Sequence, residues 1–203
     1  MDPYDIVRGF EKTIAEFAAA PFAVSVESGS AAIFLCCLFC KVKDINEVII
    51  PKYTYPSVPA SIVNAGGRVT FKDIEWQKKG CYVLGNTKIV DSAKRLSIDM
   101  YEKGQFTCLS FHGKKLLPIG RGGMILTDSE KAFRWLKIAR YDGRHECALP
   151  LDNLTMVGWN MYMTPAQAVR GLELFQWLPD KNISLPDPYQ DLSKYEFFTK
   201  ANR

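Results

Sequence analysis

With 203 residues, 47% of them apolar, and a net charge of +4, the chain has enough material for one medium domain with a substantial core and needs no second one. Its Lys and Arg residues are scattered without a long run, which argues against a nucleic-acid stripe or a membrane-surface patch but tolerates an anionic, phosphate-bearing ligand. The start, Met1-Asp2-Pro3-Tyr4-Asp5, lacks the basic and apolar regions of a secretory signal, and the apolar run Ala31 to Cys40 is too short to span a bilayer, so a cytoplasmic protein with no membrane partner is expected.

In chain order, Ile6, Val7, Phe10, Ile14 and Phe17 recur at helical spacing until Pro21, which predicts a helix over residues 5 to 19. Phe22 to Val26 reads as a short strand. It runs into Glu27-Ser28-Gly29-Ser30-Ala31-Ala32 and an apolar helix to about Lys41. A strand, a small-residue turn and a helix start is an arrangement in which free backbone N–H groups and the helix dipole hold a phosphate; an ordinary serine N-cap has the same pattern. Cys36, Cys37 and Cys40 fall within that apolar helix, where packing suits them better than a metal does. No CxxC pair repeats among the six cysteines, so neither a metal nor a disulfide is expected.

Glu47 to Pro51 reads as a strand, apolar from Val48 on and of the kind covered on both faces in a parallel sheet. After Lys52-Tyr53-Thr54-Tyr55, Pro56 and Ser57 open a helix through Asn64, Ala65-Gly66-Gly67 closes it, and Arg68 to Asp73 is a third strand. This βαβαβ alternation predicts an α/β architecture, three layers with a mostly parallel sheet, and ligands at the carboxyl ends of strands, where residues 28–31 and 53–55 fall. From Ile74 to Thr87 only one short strand fits. Lys88 to Asp91 is a compact strand ending on a carboxylate, which needs a cationic or donor partner if buried; a helix N-cap is the alternative.

Phe106, Cys108 and Leu109 lead as a buried strand into Ser110-Phe111-His112-Gly113-Lys114-Lys115, and Gly122-Gly123 opens another strand through Thr127. Lysines where a strand stops are either solvated loop residues or, in a confined pocket with an aldehyde cofactor, nucleophiles. Ser129 to Arg140 reads as a helix with Phe133, Leu136 and Ile138 inward, and Thr164-Pro165 opens another through Trp177. His112 and His145 are too far apart in sequence to suggest a metal pair. The stretch after Leu178, with Pro179, Pro186 and Pro188, reads as an extended tail or a short terminal helix.

Taken together, residues 28–32, 48–55, 90–93, 110–115, 122–127, 140–143 and 158–164 resemble, in order, the motifs of the DegT/DnrJ/EryC1/StrS family of sugar aminotransferases dependent on pyridoxal phosphate. The resemblance implies the large domain of fold type I over residues 1–178, with residues 179–203 as a tail where the family carries a smaller second domain. It implies pyridoxal 5'-phosphate as cofactor, a nucleotide-linked keto-sugar as acceptor and an amino acid, glutamate first, as donor.

Residue by residue, the resemblance selects Lys115 over Lys114 as the Schiff-base lysine and Asp91 as the acid that meets the pyridine nitrogen. It assigns Ser30, Ala31 and Ser110 to the phosphate, Tyr55 to the ring face, and Asn160 to the phosphate of a partner subunit, hence a homodimer with shared sites. Lys94 stands where the family has a Gln or His against the phenolic oxygen, and Tyr162 replaces a basic residue. A reduced, non-catalytic relative that binds the cofactor or pairs with another subunit is the alternative reading.

Overall fold

The computed structural model describes residues 2–179 and 188–200. Helix α1 (Asp5–Ala18) turns Val7, Phe10, Ile14, Ala15 and Ala18 inward at helical spacing and stops where Ala19 adopts a left-handed conformation (φ 55°). Strand β1 (Phe22–Val26) follows, then α2 (Gly29–Phe39). Because α2 is apolar nearly all round, it is held inside the molecule, and Cys36 and Cys37 are fully buried in it as packing residues. The remaining elements are β2 (Val48–Pro51), α3 (Ser57–Asn64), β3 (Val69–Lys72), β4 (Tyr82–Val83), β5 (Ile89–Asp91), β6 (Phe106–Ser110), β7 (Gly123–Thr127), α4 (Glu130–Ala139), α5 (Pro165–Phe175) and the short α6 (Phe197–Lys200).

The main sheet has the order β1-β7-β6-β5-β4, and β2 and β3 form a separate parallel pair. Gly85, in the turn after β4, lies against the backbone of Ile49 in β2, so the pair abuts the β4 edge. Alternate residues of each strand feed two cores. Val24, Val26, Cys108 and Ile125 pack on one face with α2, α3 and α4; Ala23, Leu109, Met124 and Leu126 pack on the other with α1 and α5. Three layers, helix on sheet on helix, are therefore present as expected.

The mostly parallel sheet is not. Within the main sheet only β5 and β6 run parallel, while β1–β7, β6–β7 and β4–β5 are antiparallel. Connection length explains two of these pairings: residues 84–88 and 111–122 contain no crossover helix, and a strand without one returns antiparallel to its neighbour.

Two smaller expectations also shift. Ile6 is exposed on α1, and α4 buries Ala132, Leu136 and Ala139 with Phe133 and Ile138 only half-covered. Of the predicted tail, residues 180–187 and 201–203 lie outside the described residues; the rest returns as an extended stretch and a single helical turn, Leu192–Lys194, before α6.

Candidate active site

The site forms where β1, β5 and β6 end. β1 hands the chain to α2 through Ser28, whose hydroxyl accepts the Ala31 N–H at 3.1 Å and so sets the helix start. The N–H groups of Gly29 and Ser30, in the first turn, have no intrahelical acceptor and carry the positive end of the helix dipole.

Two glycines make this geometry possible. A Cβ on Gly29 would sit 2.8 Å from the Ser110 Cβ, and one on Gly123 would sit 2.4 Å from the Ser28 carbonyl carbon. Only hydrogen at both places lets the α2 start press against the ends of β6 and β7.

A cavity of about 570 Å³ opens there. Ser30, Tyr55, Asp91, Ser110 and Lys115 all line it, together with Ser57, Trp76 and Arg121. Five of the eight residues singled out in the sequence thus converge on one space. At one end Ser30 Oγ donates to Ser57 Oγ at 2.8 Å beside the α2 start, and Ser110 closes the same region. Lys115 is half-buried in a turn in which its N–H donates to the His112 carbonyl at 2.8 Å, whereas Lys114 is exposed. Tyr55 presents its ring at the wall and is 58% exposed.

Asp91 is only 3% exposed and caps no helix, which removes the N-cap alternative. It accepts the Ala93 N–H at 3.0 Å. Burial pushes its carboxyl above the usual carboxylate range, and the Ala93 N–H, the Tyr82 hydroxyl, and the charges of Lys115 and Lys94 pull it back down. Tyr82 is a residue the sequence did not single out. It pairs with Asp91 across β4–β5, and its hydroxyl lies 2.5 Å from Thr54 Oγ1. Burial, then the Asp91 charge, raises the Tyr82 phenol well above its ordinary value.

The other three named residues lie elsewhere. Ala31 is buried, lies outside the cavity lining and spends its N–H on Ser28, so the anion-facing groups of this turn are those of Gly29 and Ser30. Lys94 is 5% exposed, with its ammonium over two aromatic rings of the wall, Tyr189 and Trp76. Asn160 is exposed away from the cavity, donating to Asp142 at 2.9 Å, and Tyr162 packs into a cluster with Tyr4 and Tyr141.

These features fit pyridoxal phosphate. The cavity has hydroxyls and a helix start at one end, a buried acid and a half-buried amine on its lining, and an aromatic wall. Among the described residues no His, Cys, Asp and Glu group could hold a metal ion, and no helix is long and apolar enough to cross a membrane.

Comparison with known proteins bears on the fold and the family. The chain is 25% identical to the spore coat polysaccharide biosynthesis protein SpsC of Bacillus subtilis, over 77% of this chain and 48% of that protein. It is 23% identical to GDP-perosamine synthase of Caulobacter vibrioides, over 80% and 54% respectively. The chain therefore spans about half the length of these curated relatives.

Among solved structures, AtS13 from Actinomadura melliaura superposes with a TM-score of 0.71 at 19% identity, covering 85% of this chain and 60% of that one. The putative sugar aminotransferase Spr1654 from Streptococcus pneumoniae, in its PLP form, gives 0.69 at 18% identity, over 86% and 59%. The family model matches residues 1–83 and 99–184, and the stretch between, where Asp91 and Lys94 lie, is fixed here by the β5 position in the sheet. On these matches and this fold, the chain belongs to the DegT/DnrJ/EryC1/StrS aminotransferase family.

Proposed function

We propose that this chain carries the cofactor-binding core of an aminotransferase that uses pyridoxal phosphate to move an amino group from an amino acid, glutamate first, to a nucleotide-linked keto-sugar. The observation that carries the reading is the convergence of the Lys115 amine and the Asp91 carboxylate on one cavity, close enough for the Lys115 charge to act on Asp91. Bound there, pyridoxal phosphate would supply an aldehyde for a Schiff base and a ring that accepts an electron pair.

The chain's own residues would do the rest. The Gly29 and Ser30 N–H groups with the Ser30, Ser57 and Ser110 hydroxyls hold the phosphate end. Asp91 would meet the pyridine nitrogen and favour its protonated form. Tyr55 covers a ring face and fixes the ring plane, a contact of about 1 kcal/mol. The Lys115 amine would serve as the base that accepts a proton from the substrate carbon bearing nitrogen and as the acid that gives it back. Its half-burial lowers the solvent competition for that proton.

A homodimer belongs to the same reading. Leu149, Leu151, Leu154 and Val157, in the loop that leads to Asn160, are 60–84% exposed, which is the composition of a covered face. Asn160 would then reach the phosphate held in a second copy.

Addition of pyridoxal phosphate should give the purified protein a visible absorption band that Lys115→Ala loses and Lys114→Ala keeps. A nucleotide keto-sugar and glutamate should then yield an amino-sugar. A protein that stays colourless at saturating cofactor ends the reading. A cofactor-binding or subunit-pairing module without turnover is the second reading, favoured by Lys94, an amine where the family carries a Gln or His. A coloured protein with no amino-sugar product selects it.

A further inference from the structure

The cavity takes its positive charge from one stretch of chain. Among the described residues Asp91, buried, is the only acid on the lining, and every basic side chain there, His112, Lys114, Lys115 and Arg121, comes from the loop that joins β6 to β7. Residues 188–192, fastened beside the end of β2 by the Leu192 N–H to the Lys52 carbonyl at 2.9 Å, add only the uncharged Pro188, Tyr189, Gln190 and Leu192. Of these cations, Arg121 is held from several sides. The Phe111 N–H donates to the Gly122 carbonyl at 2.9 Å and the Gly113 N–H to the Gly120 carbonyl at 3.2 Å, which folds the returning arm of the loop against the outgoing one. Gln167 Nε2, from the capping box of α5, donates to the Arg121 carbonyl at 2.9 Å. The Arg121 side chain is 67% exposed and gives Nη2 to Glu27 Oε2 at 2.5 Å; among the described residues its Nε and Nη1 donors have no partner.

We propose that Arg121 is a specificity-determining residue: its unused guanidinium donors receive the diphosphate of the nucleotide-linked acceptor at the open edge of the cavity, while Glu27 holds the side chain in place. The inference rests on the acceptor class given above. In that reading Lys115 is given to the reaction, and the start of α2 with its hydroxyls to the cofactor's phosphate, so a second phosphate-bearing ligand needs a cation of its own. A guanidinium with one donor anchored still presents the fork that matches two phosphate oxygens. Its place at the edge decides which anion it serves. The donor's α-carboxylate is bonded to the carbon that loses a proton and must stay beside Lys115, whereas the acceptor's diphosphate lies outside the sugar ring and belongs nearer solvent, where the Arg121 side chain stands. Lys114, exposed on the same loop, adds a second positive charge to that edge.

The test is calorimetric titration with UDP, GDP and dTDP, run on protein loaded with pyridoxal phosphate and on cofactor-free protein in excess inorganic phosphate, which fills the helix start. The unaltered protein should bind at least one of the three. Arg121→Gln should weaken that binding about tenfold or more, the loss of charge-assisted hydrogen bonds. Arg121→Lys, which keeps the charge and loses the fork, should fall between the two and repeats the measurement if the glutamine variant does not fold. Glu27→Gln breaks the same ion pair but still offers Nη2 an acceptor, and should bind at least as tightly as the unaltered protein. Glutarate, which carries the donor's kind of anion, should bind Arg121→Gln as it binds the unaltered protein.

No binding of any of the three diphosphates, binding unmoved in Arg121→Gln, or an equal loss in Glu27→Gln would overturn the proposal. So would a loss for glutarate as large as that for the diphosphate, which would assign Arg121 to the amino donor. A protein that stays colourless with pyridoxal phosphate yet binds a diphosphate through Arg121 loses the aminotransferase reading and keeps this one. A coloured protein whose diphosphate binding ignores Arg121 does the reverse.

Discussion

Tyr82 and Asp91 stand directly opposite each other across β4–β5, which sends both side chains to the same face of the sheet and places a phenol beside the buried carboxylate. Thr54, from the stretch after β2, joins the phenol at 2.5 Å, so a two-residue strand ties the separate β2–β3 pair to the acid of the site. Replacing Tyr82 with Phe would leave Thr54 without its partner and strip one donor from Asp91. The expected cost is about 1–3 kcal/mol of stability. Affinity for pyridoxal phosphate should fall about tenfold, matching the loss of one hydrogen bond to a charged group. Urea denaturation and cofactor titration check the two effects separately, and an unchanged affinity would remove Tyr82 from the site.

The same burial makes Asp91 a liability in the cofactor-free protein. Its pKa is higher in the folded than in the unfolded chain, so the unfolded state binds fewer protons as pH rises above the ordinary value of 3.8, and stability falls over that window and stays reduced at neutral pH. Asp91→Asn removes the penalty while its side-chain oxygen still accepts the Ala93 N–H. The variant should melt higher than the unaltered protein near pH 7 without cofactor, and lose amino transfer. A lower melting temperature would mean that the paired lysines and Tyr82 already outweigh desolvation.

Which parts of this were legible in the sequence follows from how many residues each pattern had to declare itself. The helix over residues 5–18, the strand over 22–26 and the start of the next helix at Ser28 each carry several periods of pattern, and the structure places them within a residue or two of expectation. Asp91 closes a compact buried strand, which marks it as an acid in need of a partner, whereas Lys115 stands five residues past the end of β6 and was separated from Lys114 by the family resemblance and not by local pattern. β4 is only two residues long, too short for alternation to show, and Tyr82 was hidden with it. The direction of β4 and β7 depends on pairing between distant segments, which local pattern does not encode. Tyr189, from a stretch that reads as an irregular tail, meets Trp76 and Lys94 only through the return of the chain to β2.

Gly123 gives a sharper test of how the phosphate end is built. Its hydrogen faces the Ser28–Gly29 peptide at a distance no methyl can occupy, so Gly123→Ala must push the start of α2 away from β7. The expected loss is about 1–3 kcal/mol, the usual cost of overpacking a tight contact. Because the displaced peptide belongs to the phosphate cradle, cofactor affinity should drop more than tenfold in protein that remains folded. Gly9, with open space around it on α1, is the control: Gly9→Ala should raise helix stability by about 0.5–1 kcal/mol and leave cofactor affinity alone.

The last prediction concerns the ion network that fastens α1 to the end of α4. Glu11 accepts the Ser25 N–H at 2.8 Å and the Ser25 hydroxyl at 2.9 Å, and it pairs with the Arg140 guanidinium, which is 1% exposed. Arg140 also reaches Glu146 at 2.9 Å, and Lys137 joins Glu146 at 2.7 Å. Burial by itself would raise the Glu11 carboxyl, but the charges of Arg140 and Lys137 and the Ser25 donors overcome it and hold the group below the ordinary value of 4.5. A depressed acid stabilises the fold above its unfolded pKa, and that contribution is lost as pH falls from about 4.5 through the folded value. Glu11→Gln removes one of the two carboxylates on the buried Arg140 guanidinium and leaves Glu146 as its partner, and should cost about 1–3 kcal/mol at neutral pH. It should also flatten the acid limb of stability against pH below 4.5, where the unaltered protein should lose the Glu11 contribution. Denaturant melts from pH 3 to 7 on both proteins decide it, and an equally steep acid limb in the variant would show that other carboxylates carry the acid sensitivity.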